Sequence, residues 1–469
     1  MFKNFVFRFA PSPSGPLHIG NIRILIYNYI LYKKYKGKLY LRIDNTNKKK
    51  NKSIFIKYIF KTFKWLLNYK FKNQYIIKQL DRLSIYKKYI NILLKKKIVY
   101  LCYDTKIDIN NMKKIYKKNN KKFYYSYKTR KFMNNKFNKI YKKKKKYVIR
   151  YFNIPNKIIY INDLIYGRII YNSKNLTDII LYRSNGIPTY YFTSIIDDYL
   201  LKISHIIRGK EWLSTTALHI LIYKVFKWPI PYFIHVSNII FNNKKISKSN
   251  INNLKNNIPF IPIKYKKLLN YQKLGYLPLS IINYLLNNDF NKIYNLKQNI
   301  KKFKISKIKK NNILYEIKKI LFFNKIIIQN LSTKYLIYIY KKLLKKKYIK
   351  YKNFNIKKIL FIIKNRLFLL KDLLKETLFI YKIPIKYYFN IKYIKKINYI
   401  INKLIFYFLK KKYFIIINLK KIYIKVLRLI IIGKFQGLGI NLIFKLISKN
   451  EILKRLLYFK KFILNLNIN

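Results

Sequence analysis

The stretch that most constrains the fold is RFAPSPSGPLHIGNIR, residues 8–23. It begins at the end of an apolar, β-prone run, Phe5 to Phe9, continues through three prolines and leads into an amphipathic segment that starts at Ile19. A strand, a rigid turn and a helix start in direct succession are typical of a phosphate-binding geometry, because unpaired N–H groups and the helix dipole favour an anion there. Gly20 lets a ligand approach the backbone closely.

The charge of the chain is extreme: 104 Lys and Arg against 14 Asp and Glu give a formal net charge of +90 over 469 residues. A nucleic-acid partner is one explanation. Mutational bias is the other, because the enriched residues Lys, Asn, Ile, Tyr and Phe have A/T-rich codons, and we expect it to account for most of the excess. Motifs rather than charge must therefore carry any inference about binding.

The single cysteine, Cys102, excludes a disulfide framework and indicates a reducing compartment. It cannot form a cysteine-based zinc site alone, so we expect no zinc and no other protein-bound metal. Lysines interrupt every apolar run before it reaches membrane-spanning length, and the first motif leaves no room for a cleaved signal. The sequence predicts a cytoplasmic protein with no membrane partner.

Strand-like and helix-like patterns alternate over residues 1–100. The predicted strands are Phe5–Phe9 and Leu39–Ile43, and the predicted helices are Ile19–Tyr35 and Ser53–Leu67. Such alternation predicts a parallel sheet that binds ligands at the carboxyl ends of its strands.

The rest of the chain changes character twice. Residues 105–146 are mostly Lys, Asn and Tyr, and they predict an insertion that either contacts a polyanion or forms a solvated surface. Residues 147–240 return to strand and helix patterns. From about residue 262 onward, apolar residues recur three and four apart with few turn signals, which predicts that roughly 290–469 is all helical.

A second motif, KKISKS, occupies residues 244–249 and follows the strand-like segment Tyr232–Phe241. Lysine suits contact with phosphate, because its flexible stem delivers a point charge as negative charge builds up. In so lysine-rich a chain a string of this form arises by chance with a probability of roughly a few per cent. Its place after a strand and far beyond His18 favours a functional role.

These motifs resemble the two signatures of class I aminoacyl-tRNA synthetases, in the form found in bacterial glutamyl-tRNA synthetases. Residues 8–23 resemble the HIGH signature, and Lys245–Ser249 resemble the KMSKS loop with Ile246 in place of methionine. Further blocks resemble the same family in order and spacing, namely LRIDNTN at 41–47, QLDRLSIYKKY at 79–89, IPTYYFTSIIDDYL at 187–200, HIIRGKEWL at 205–213, LGYLPLSIINYLL at 274–286 and the glycine-bearing stretch at 426–456.

The resemblance implies an α/β fold in which a Rossmann-type catalytic domain is followed by an all-helical region. The implied domains are a catalytic domain at 1–100 and 180–260, an inserted tRNA acceptor-binding α/β domain at 101–179, a connecting helical region at 261–300 and an anticodon-binding domain at 301–469. A glutaminyl-tRNA synthetase would carry β-barrels in its second half, where strand patterning is absent here, and a truncated glutamyl-queuosine enzyme would end near residue 300.

The resemblance also implies the site residues. Glutamate carries two carboxylates and an ammonium, and the planar fork of arginine matches a carboxylate best. The residues implied for glutamate are Arg8, Ser12, Asp44, Tyr190 and Arg208, with Arg8 on the side-chain carboxylate. Those implied for ATP are Pro11, His18, Gly20, Glu211, Lys245, Ser247 and Lys248. Of these, the triphosphate donors His18, Lys245 and Lys248 are the implied catalytic groups.

Each assignment has a purely structural alternative. Arg8 could be an ordinary ion-pair partner, His18 a helix cap and Trp212 a packing residue. The adjacent Asp197 and Asp198 are equally compatible with structural and functional roles, because neighbouring residues face different ways. Asp163 and Arg168 are expected to be structural or to position RNA, and not to be catalytic.

The implied reaction needs no protein nucleophile. The glutamate carboxylate attacks the α-phosphate of ATP, pyrophosphate leaves and a tRNA hydroxyl attacks the adenylate, with Mg²⁺ on the phosphates. The implied acceptor is tRNA(Glu); whether tRNA(Gln) is also charged stays open, and a monomer is expected. The alternative is a catalytically decayed synthetase acting as a basic RNA-binding protein. Departures from the family pattern that fit decay are Asp44, Asn45, Asn47, Ser194 and Ile246.

Overall fold

The chain forms two compact units, Met1–Gln272 with Ile282–Ile317 and Lys273–Ile281 with Lys318–Asn469. The computed structural model describes residues 4–47, 49, 51–120, 123–125, 146–241, 244–245, 270–286, 292–349, 355–384, 387, 394–410 and 421–466.

The strands and helices alternate in the first unit, and helices follow one another in the second. The strands are β1 Val6–Phe9, β2 Lys38–Ile43, β3 Ile76–Lys78, β4 Val99–Cys102, β5 Val148–Tyr151, β6 Ile158–Asp163, β7 Gly167–Asn172, β8 Ile180–Tyr182, β9 His205–Gly209, β10 Tyr232–Val236, β11 Ile239–Phe241, β12 Lys244–Lys245 and β13 Ile313–Leu314. The helices are α1 Ile19–Lys34, α2 Ser53–Leu67, α3 Leu83–Lys95, α4 Lys106–Lys118, α5 Tyr190–Leu200, α6 Leu213–Val225, α7 Tyr271–Leu274, α8 Pro278–Leu286, α9 Leu296–Lys302, α10 Ile317–Asn330, α11 Thr333–Lys346, α12 Ile356–Ile363, α13 Asp372–Lys375, α14 Leu378–Tyr381, α15 Ile394–Leu409, α16 Lys421–Ile432, α17 Ile440–Phe444 and α18 Lys449–Leu466.

Two sheets with parallel strands build the centre of the first unit. One has the order β1-β2-β3 and is parallel throughout; the other has the order β7-β6-β10-β9, in which β6, β10 and β9 are parallel. The sheets meet where the Ser204 N–H donates to the Val6 carbonyl at 3.0 Å. The predicted parallel sheet is confirmed. The carboxyl ends of β1, β2 and β9 therefore converge, as parallel strands require.

Strand β6 comes from the middle of the sequence between the two halves of the predicted catalytic domain. It pairs in parallel with β10, with Asp163 opposite Phe233, and its apolar residues enter the core that Ile206 and Ala217 also form. Alternate residues of β6 are buried and exposed, which is the pattern of a strand with one face on a core. This pairing carries Asp163 to the carboxyl end of the sheet.

Helix α1 begins where the proline-rich loop ends. His18 is its N-cap: the imidazole Nδ1 accepts from the Gly20 N–H at 3.2 Å, and the Asn21 side chain accepts from the His18 N–H at 3.4 Å. Reciprocal caps of this kind satisfy N–H groups that the helix leaves open. The loop itself is held by the Pro11 carbonyl, which accepts from the Asp44 N–H at 3.2 Å.

An antiparallel sheet, β4-β5-β8, lies within the same unit and contains the free cysteine. Cys102 is buried and accepts from Arg150 Nε at 3.3 Å, and the Arg150 guanidinium stacks 4.0 Å above the Tyr125 ring. The Tyr125 hydroxyl donates to Asp104. The buried arginine and its ring partner fill the space beside the thiol.

The second unit is helical over its described residues, in agreement with the apolar spacing. Arg455 on α18 is buried and donates to the carbonyls of Phe379 and Ile431 at 2.6 and 3.1 Å. Gly433, at φ +88°, ends α16, and the segment up to α17 connects the two helices. The prediction that roughly 290–469 is all helical is wrong at Ile313 and Leu314. These two residues belong to the first unit and form a short strand, because their backbone pairs with β11.

Candidate active site

A cavity of about 380 Å³ lies at the carboxyl ends of β1, β2 and β9. All five residues predicted to bind glutamate line it, together with two of those predicted for ATP. Its lining residues are Arg8, Phe9, Ala10, Pro11, Ser12, Asn21, Ile24, Asp44, Thr46, Asn47, Arg183, Tyr190, Ile207, Arg208, Gly209, Glu211 and Trp212.

The other predicted ATP residues lie elsewhere or outside the description. His18 and Gly20 form the cap of α1 beside the cavity rather than its wall, although their neighbour Asn21 does line it. A Cβ on Gly20 would lie 3.0 Å from the His18 ring, so the missing side chain makes room for the capping imidazole. Lys245 lies on β12, paired with Ile240. Ser247 and Lys248 lie outside the described residues.

Arg8 on β1 is buried and paired with a carboxylate from α5. Its Nε donates to Asp198 Oδ1 at 3.0 Å, and its Nη1 donates to the Ile207 carbonyl at 3.3 Å. The ion-pair alternative is therefore realised in the structure, and Arg8 lines the cavity as well. Because Asp198 also accepts from Arg42 Nη1 at 2.8 Å, this aspartate holds two arginines in place.

Asp44 follows β2 and is held by a two-pronged pair with Arg42. Arg42 Nε donates to Asp44 Oδ1 at 2.7 Å and Nη2 donates to Oδ2 at 3.2 Å. Burial raises the pKa of Asp44, while the Arg42 charge opposes that shift. Burial would lower the pKa of Arg42, but Asp44 and Asp198 hold it well above the ordinary value, so the guanidinium is charged.

Arg208 on β9 is buried among neutral partners. Its Nε donates to His235 Nε2 at 3.1 Å and its Nη2 donates to Thr216 Oγ1 at 2.6 Å, and Nη1 lies 3.5 Å from His219 Nδ1. No Asp or Glu carboxylate of the described residues lies within 4.0 Å of the Arg208 guanidinium nitrogens. Burial lowers the pKa of Arg208, and the hydroxyl of Tyr190 opposes that shift.

Tyr190 and Glu211 also line the cavity. The Tyr190 ring lies 4.8 Å from the Trp212 ring, which is the packing role predicted for that tryptophan. A Cβ on Gly209 would overlap the Glu211 carboxylate, so the glycine is what allows the acid to fold back over the end of β9. The carboxylate therefore lies beside the cavity because the sequence is Gly-Lys-Glu here.

Two buried polar residues on α5, Asp197 and Ser194, differ in their hydrogen bonding. Asp197 accepts from Gln79, from Arg82 Nε at 2.8 Å and from the Tyr86 hydroxyl, so its role is structural. The hydroxyl of Ser194, by contrast, is buried and has no hydrogen-bond partner among the described residues. This is the position where the resemblance implies an asparagine.

Sequence reasoning missed three residues that shape the site, Arg42, Arg183 and His235, and it gave Asp163 only a structural or RNA-positioning role. Arg183 lines the cavity and donates Nη1 to the Thr46 and Pro188 carbonyls at 3.3 and 2.8 Å. His235 and Asp163 lie behind Arg208. The rarity of acids in the chain, 14 in all, draws attention to Asp163 but does not reveal that it contacts His235.

Two negative findings apply to the part of the chain that the structure describes. No group of three or more His, Cys, Asp or Glu side chains in it is arranged to hold a metal ion. No helix in it has both the length and the apolar character needed to cross a bilayer.

Comparisons with known proteins agree with this geometry. The model of the family "tRNA synthetases class I (E and Q), catalytic domain" matches residues 4–329. The glutamate–tRNA ligase of Azobacteroides pseudotrichonymphae genomovar. CFP2 is 34% identical over 401 residues, which cover 81% of this chain and 80% of that protein. The ligase of Wigglesworthia glossinidia brevipalpis is 32% identical over 385 residues, covering 80% and 76%.

A solved structure is similar over almost the whole chain. The crystal structure of glutamate-tRNA synthetase from Elizabethkingia anophelis superposes with a TM-score of 0.81 at 27% identity and covers 98% of this chain and 100% of that one. The motifs, the fold and the comparisons lead to one conclusion: the chain belongs to the class I tRNA synthetases of the E and Q type.

Proposed function

We propose that the protein ligates L-glutamate to tRNA(Glu) in an ATP-dependent reaction through a glutamyl-adenylate. One observation carries this proposal: two buried arginines from neighbouring strands, Arg8 and Arg208, line a single cavity together with the carboxylate of Asp44. An amino acid with two carboxylates and an ammonium needs two cations and one anion, and arginine is the better cation for carboxylates. The relatives named above are glutamate–tRNA ligases.

The charges suggest how glutamate would be oriented. Arg208 would take the α-carboxylate, because its side chain has no carboxylate partner among the described residues. Arg8 would face the side-chain carboxylate, and Asp44 would accept from the ammonium with Ser12 and Tyr190 nearby. In this orientation Arg208 would hold the α-carboxylate, one oxygen of which would attack the α-phosphate of ATP.

For ATP we propose residues of the two signature motifs together with Glu211. They are Pro11, His18, Gly20, Glu211, Lys245, Ser247 and Lys248, with His18, Lys245 and Lys248 as donors to the triphosphate. Catalysis would then consist of positioning and electrostatic stabilisation. Mg²⁺ would arrive with the triphosphate, since the described residues offer no cluster of ligands of their own for it.

The tRNA would meet both units. We propose that residues 101–179 contact the acceptor end and residues 301–469 the anticodon, with the connecting region 261–300 along the stem and the enzyme acting as a monomer. The net charge of +90 favours any polyanion and makes binding steeply salt-dependent. Charging of tRNA(Gln) as well as tRNA(Glu) is the open point of specificity.

The test is charging of purified tRNA(Glu) and tRNA(Gln) transcripts with radiolabelled glutamate, ATP and Mg²⁺. We expect tRNA(Glu) to be charged by the wild-type protein, and Arg8→Gln to reduce kcat/KM for glutamate by about a hundredfold, the worth of a buried charge-assisted hydrogen-bond pair. Lys224→Gln removes an exposed cation from α6, outside the cavity lining and outside the regions proposed to contact tRNA, and serves as the matched control.

Each outcome of this test distinguishes between the functional alternatives. Charging of the first transcript alone indicates a discriminating enzyme, and charging of both a non-discriminating one. Binding of tRNA without charging of either would support the decayed, RNA-binding alternative. Equal losses in Arg8→Gln and Lys224→Gln would show that general charge, rather than the cavity, is responsible.

A further inference from the structure

Arg208 differs from the other buried arginines of the site in how it is held. Arg8 and Arg42 each form ion pairs with aspartates at 2.7–3.0 Å. Arg208 instead donates to a histidine ring and a threonine hydroxyl, at 3.1 and 2.6 Å. A buried cation on neutral acceptors is costly, and a carboxylate ligand would supply the missing counter-charge.

The histidine behind Arg208 is in turn fixed by Asp163. Asp163 Oδ2 lies 2.7 Å from His235 Nδ1 and accepts from the His235 backbone N–H at 3.0 Å. Its Oδ1 accepts from the N–H groups of Ile165 and Tyr166, both at 2.9 Å. An ionised carboxylate can only accept, so the His235 proton must lie on Nδ1.

The protonation states agree with this assignment. Burial lowers the pKa of His235, more than the Asp163 hydrogen bond raises it, so the ring is neutral at neutral pH. Burial would raise the pKa of Asp163, but the hydrogen bonds from His235 and Tyr166 hold it below its ordinary value. A neutral ring with a proton on Nδ1 presents a lone pair at Nε2, where Arg208 Nε donates.

We propose that Asp163 and His235 form a relay that positions Arg208 through a neutral acceptor and so keeps its charge available for the α-carboxylate of glutamate. This inference rests on the proposed function. Asp163 and His235 are then positioning residues, which act through Arg208 and do not touch the substrate. An aspartate in direct contact with Arg208 would hold the guanidinium equally well but would compete with the substrate for its charge.

The first experiment changes the tautomer. In Asp163→Asn one amide arm becomes a donor; when it faces Nδ1 it favours a proton on Nε2, which then opposes the Arg208 N–H. We expect KM for glutamate in tRNA charging to rise about tenfold or more, as for other residues that orient a ligand-binding group, while KM for ATP changes less than twofold. Thermal unfolding is measured alongside.

The second experiment separates positioning from packing, and it decides the matter if Asp163→Asn does not fold. His235→Gln keeps an acceptor near the position of Nε2, whereas His235→Leu removes it. We expect Gln to restore most of the glutamate KM that Leu loses. His205→Gln is the matched control, because His205 is a buried histidine of the same sheet that bonds to Ser204 and not to Arg208.

A double-mutant cycle completes the test. In an Arg208→Lys background, Asp163→Asn should add little to the loss in glutamate KM, because the relay acts only through the guanidinium. Additive losses, equal behaviour of the Gln and Leu variants, or an unchanged glutamate KM in Asp163→Asn would each overturn the relay. If the wild-type protein itself charges no tRNA, the proposed function fails, and that outcome is distinct from an active enzyme with insensitive variants.

Discussion

The Arg42 guanidinium donates two hydrogen bonds to the Asp44 carboxylate, from Nε to Oδ1 at 2.7 Å and from Nη2 to Oδ2 at 3.2 Å. Both side chains are buried. The remaining guanidinium nitrogen, Nη1, donates to Asp198. One buried cation thus pairs with two aspartates, of which Asp44 lines the cavity.

Removing that cation should be severe. Arg42→Leu leaves the buried Asp44 without its ion-pair partner and leaves Asp198 with Arg8 alone, and we expect a loss of about 3–5 kcal/mol in the free energy of unfolding. Arg366→Leu breaks a partly exposed pair with Glu376, at 3.2 Å, and should cost less than about 1 kcal/mol. Denaturant unfolding of both variants measures the difference; similar losses would contradict the assigned burial of the Arg42 network.

Gly209→Ala tests the placement of Glu211. The added Cβ would overlap the Glu211 carboxylate and push it away from the cavity, with little backbone strain because φ of Gly209 is −69°. We expect KM for ATP to rise roughly fivefold, the worth of about 1 kcal/mol. Gly439→Ala, which meets nothing within 4 Å, should leave it unchanged. An unaltered KM in Gly209→Ala would argue against a role of Glu211 in binding ATP.

Loss of the hydroxyl should affect the free energy of unfolding differently at Ser194 and at Ser204. Ser194→Ala removes a buried hydroxyl that has no partner among the described residues, so we expect a change within about 0.5 kcal/mol. Ser204→Ala removes a hydroxyl that accepts from the Val6 N–H at 2.8 Å and should cost about 1–2 kcal/mol. Calorimetry distinguishes them, and a large loss in Ser194→Ala would reveal a partner for that hydroxyl.

Acid should destabilise the fold through its buried histidines. Burial lowers the pKa of His205 from 6.5 to about 4 and also lowers those of His219 and His235. Near pH 6.5 these histidines therefore become protonated in the unfolded chain but stay neutral in the folded protein. Stability present above that pH is lost as the pH falls toward 4, by at most about 1.4 kcal/mol per pH unit for each histidine.

The measurement is the melting temperature between pH 7.5 and 4.5 for the wild-type protein and for His205→Phe. This variant keeps an aromatic ring next to Phe5 and Tyr232 but cannot titrate. Its melting temperature should fall less steeply over the acid range. Parallel curves would show that His205 is protonated in the folded protein at the same pH as in the unfolded chain.

Bound tRNA should stabilise the protein, because self-repulsion at a net charge of +90 weakens the free chain. At a hundred times Kd, binding contributes about 2.7 kcal/mol, which corresponds to several degrees in melting temperature. Raising the salt concentration should abolish the shift, since each phosphate contact releases counterions. A melting curve that saturating tRNA leaves unchanged at low salt would contradict this prediction.

The sequence predicted the elements around the first motif closely. The structure places β1 at Val6–Phe9, within the predicted Phe5–Phe9, and α2 at the predicted Ser53–Leu67. These elements have strong local signals: apolar alternation, a proline-bearing turn and clear helical spacing. The predicted strand Tyr232–Phe241 is two strands, because Ser237 and Asn238 interrupt the pairing.

The partners of the site residues could not be read in the same way. Arg42 and Asp198 are 156 residues apart in the chain, and His235 and Asp163 are 72 apart. Periodicity reports which face of an element is buried, but not which buried polar group meets which. The sequence could therefore assign Arg8 and Arg208 to one site through the family resemblance, and could not reveal that one is ion-paired and the other is not.

The position of β6 in the sequence restricts which segments of the protein can be exchanged or deleted as modules. The strand is encoded between the two halves of the predicted catalytic domain, yet its last residue, Asp163, contacts His235 in the sheet behind the cavity. Exchanging or deleting residues 101–179 as a module would remove that carboxylate along with the strand. A chimera with a relative's segment will keep its affinity for amino acid only if donor and recipient carry a matched Asp–His pair, so the two stretches of sequence must be inherited together.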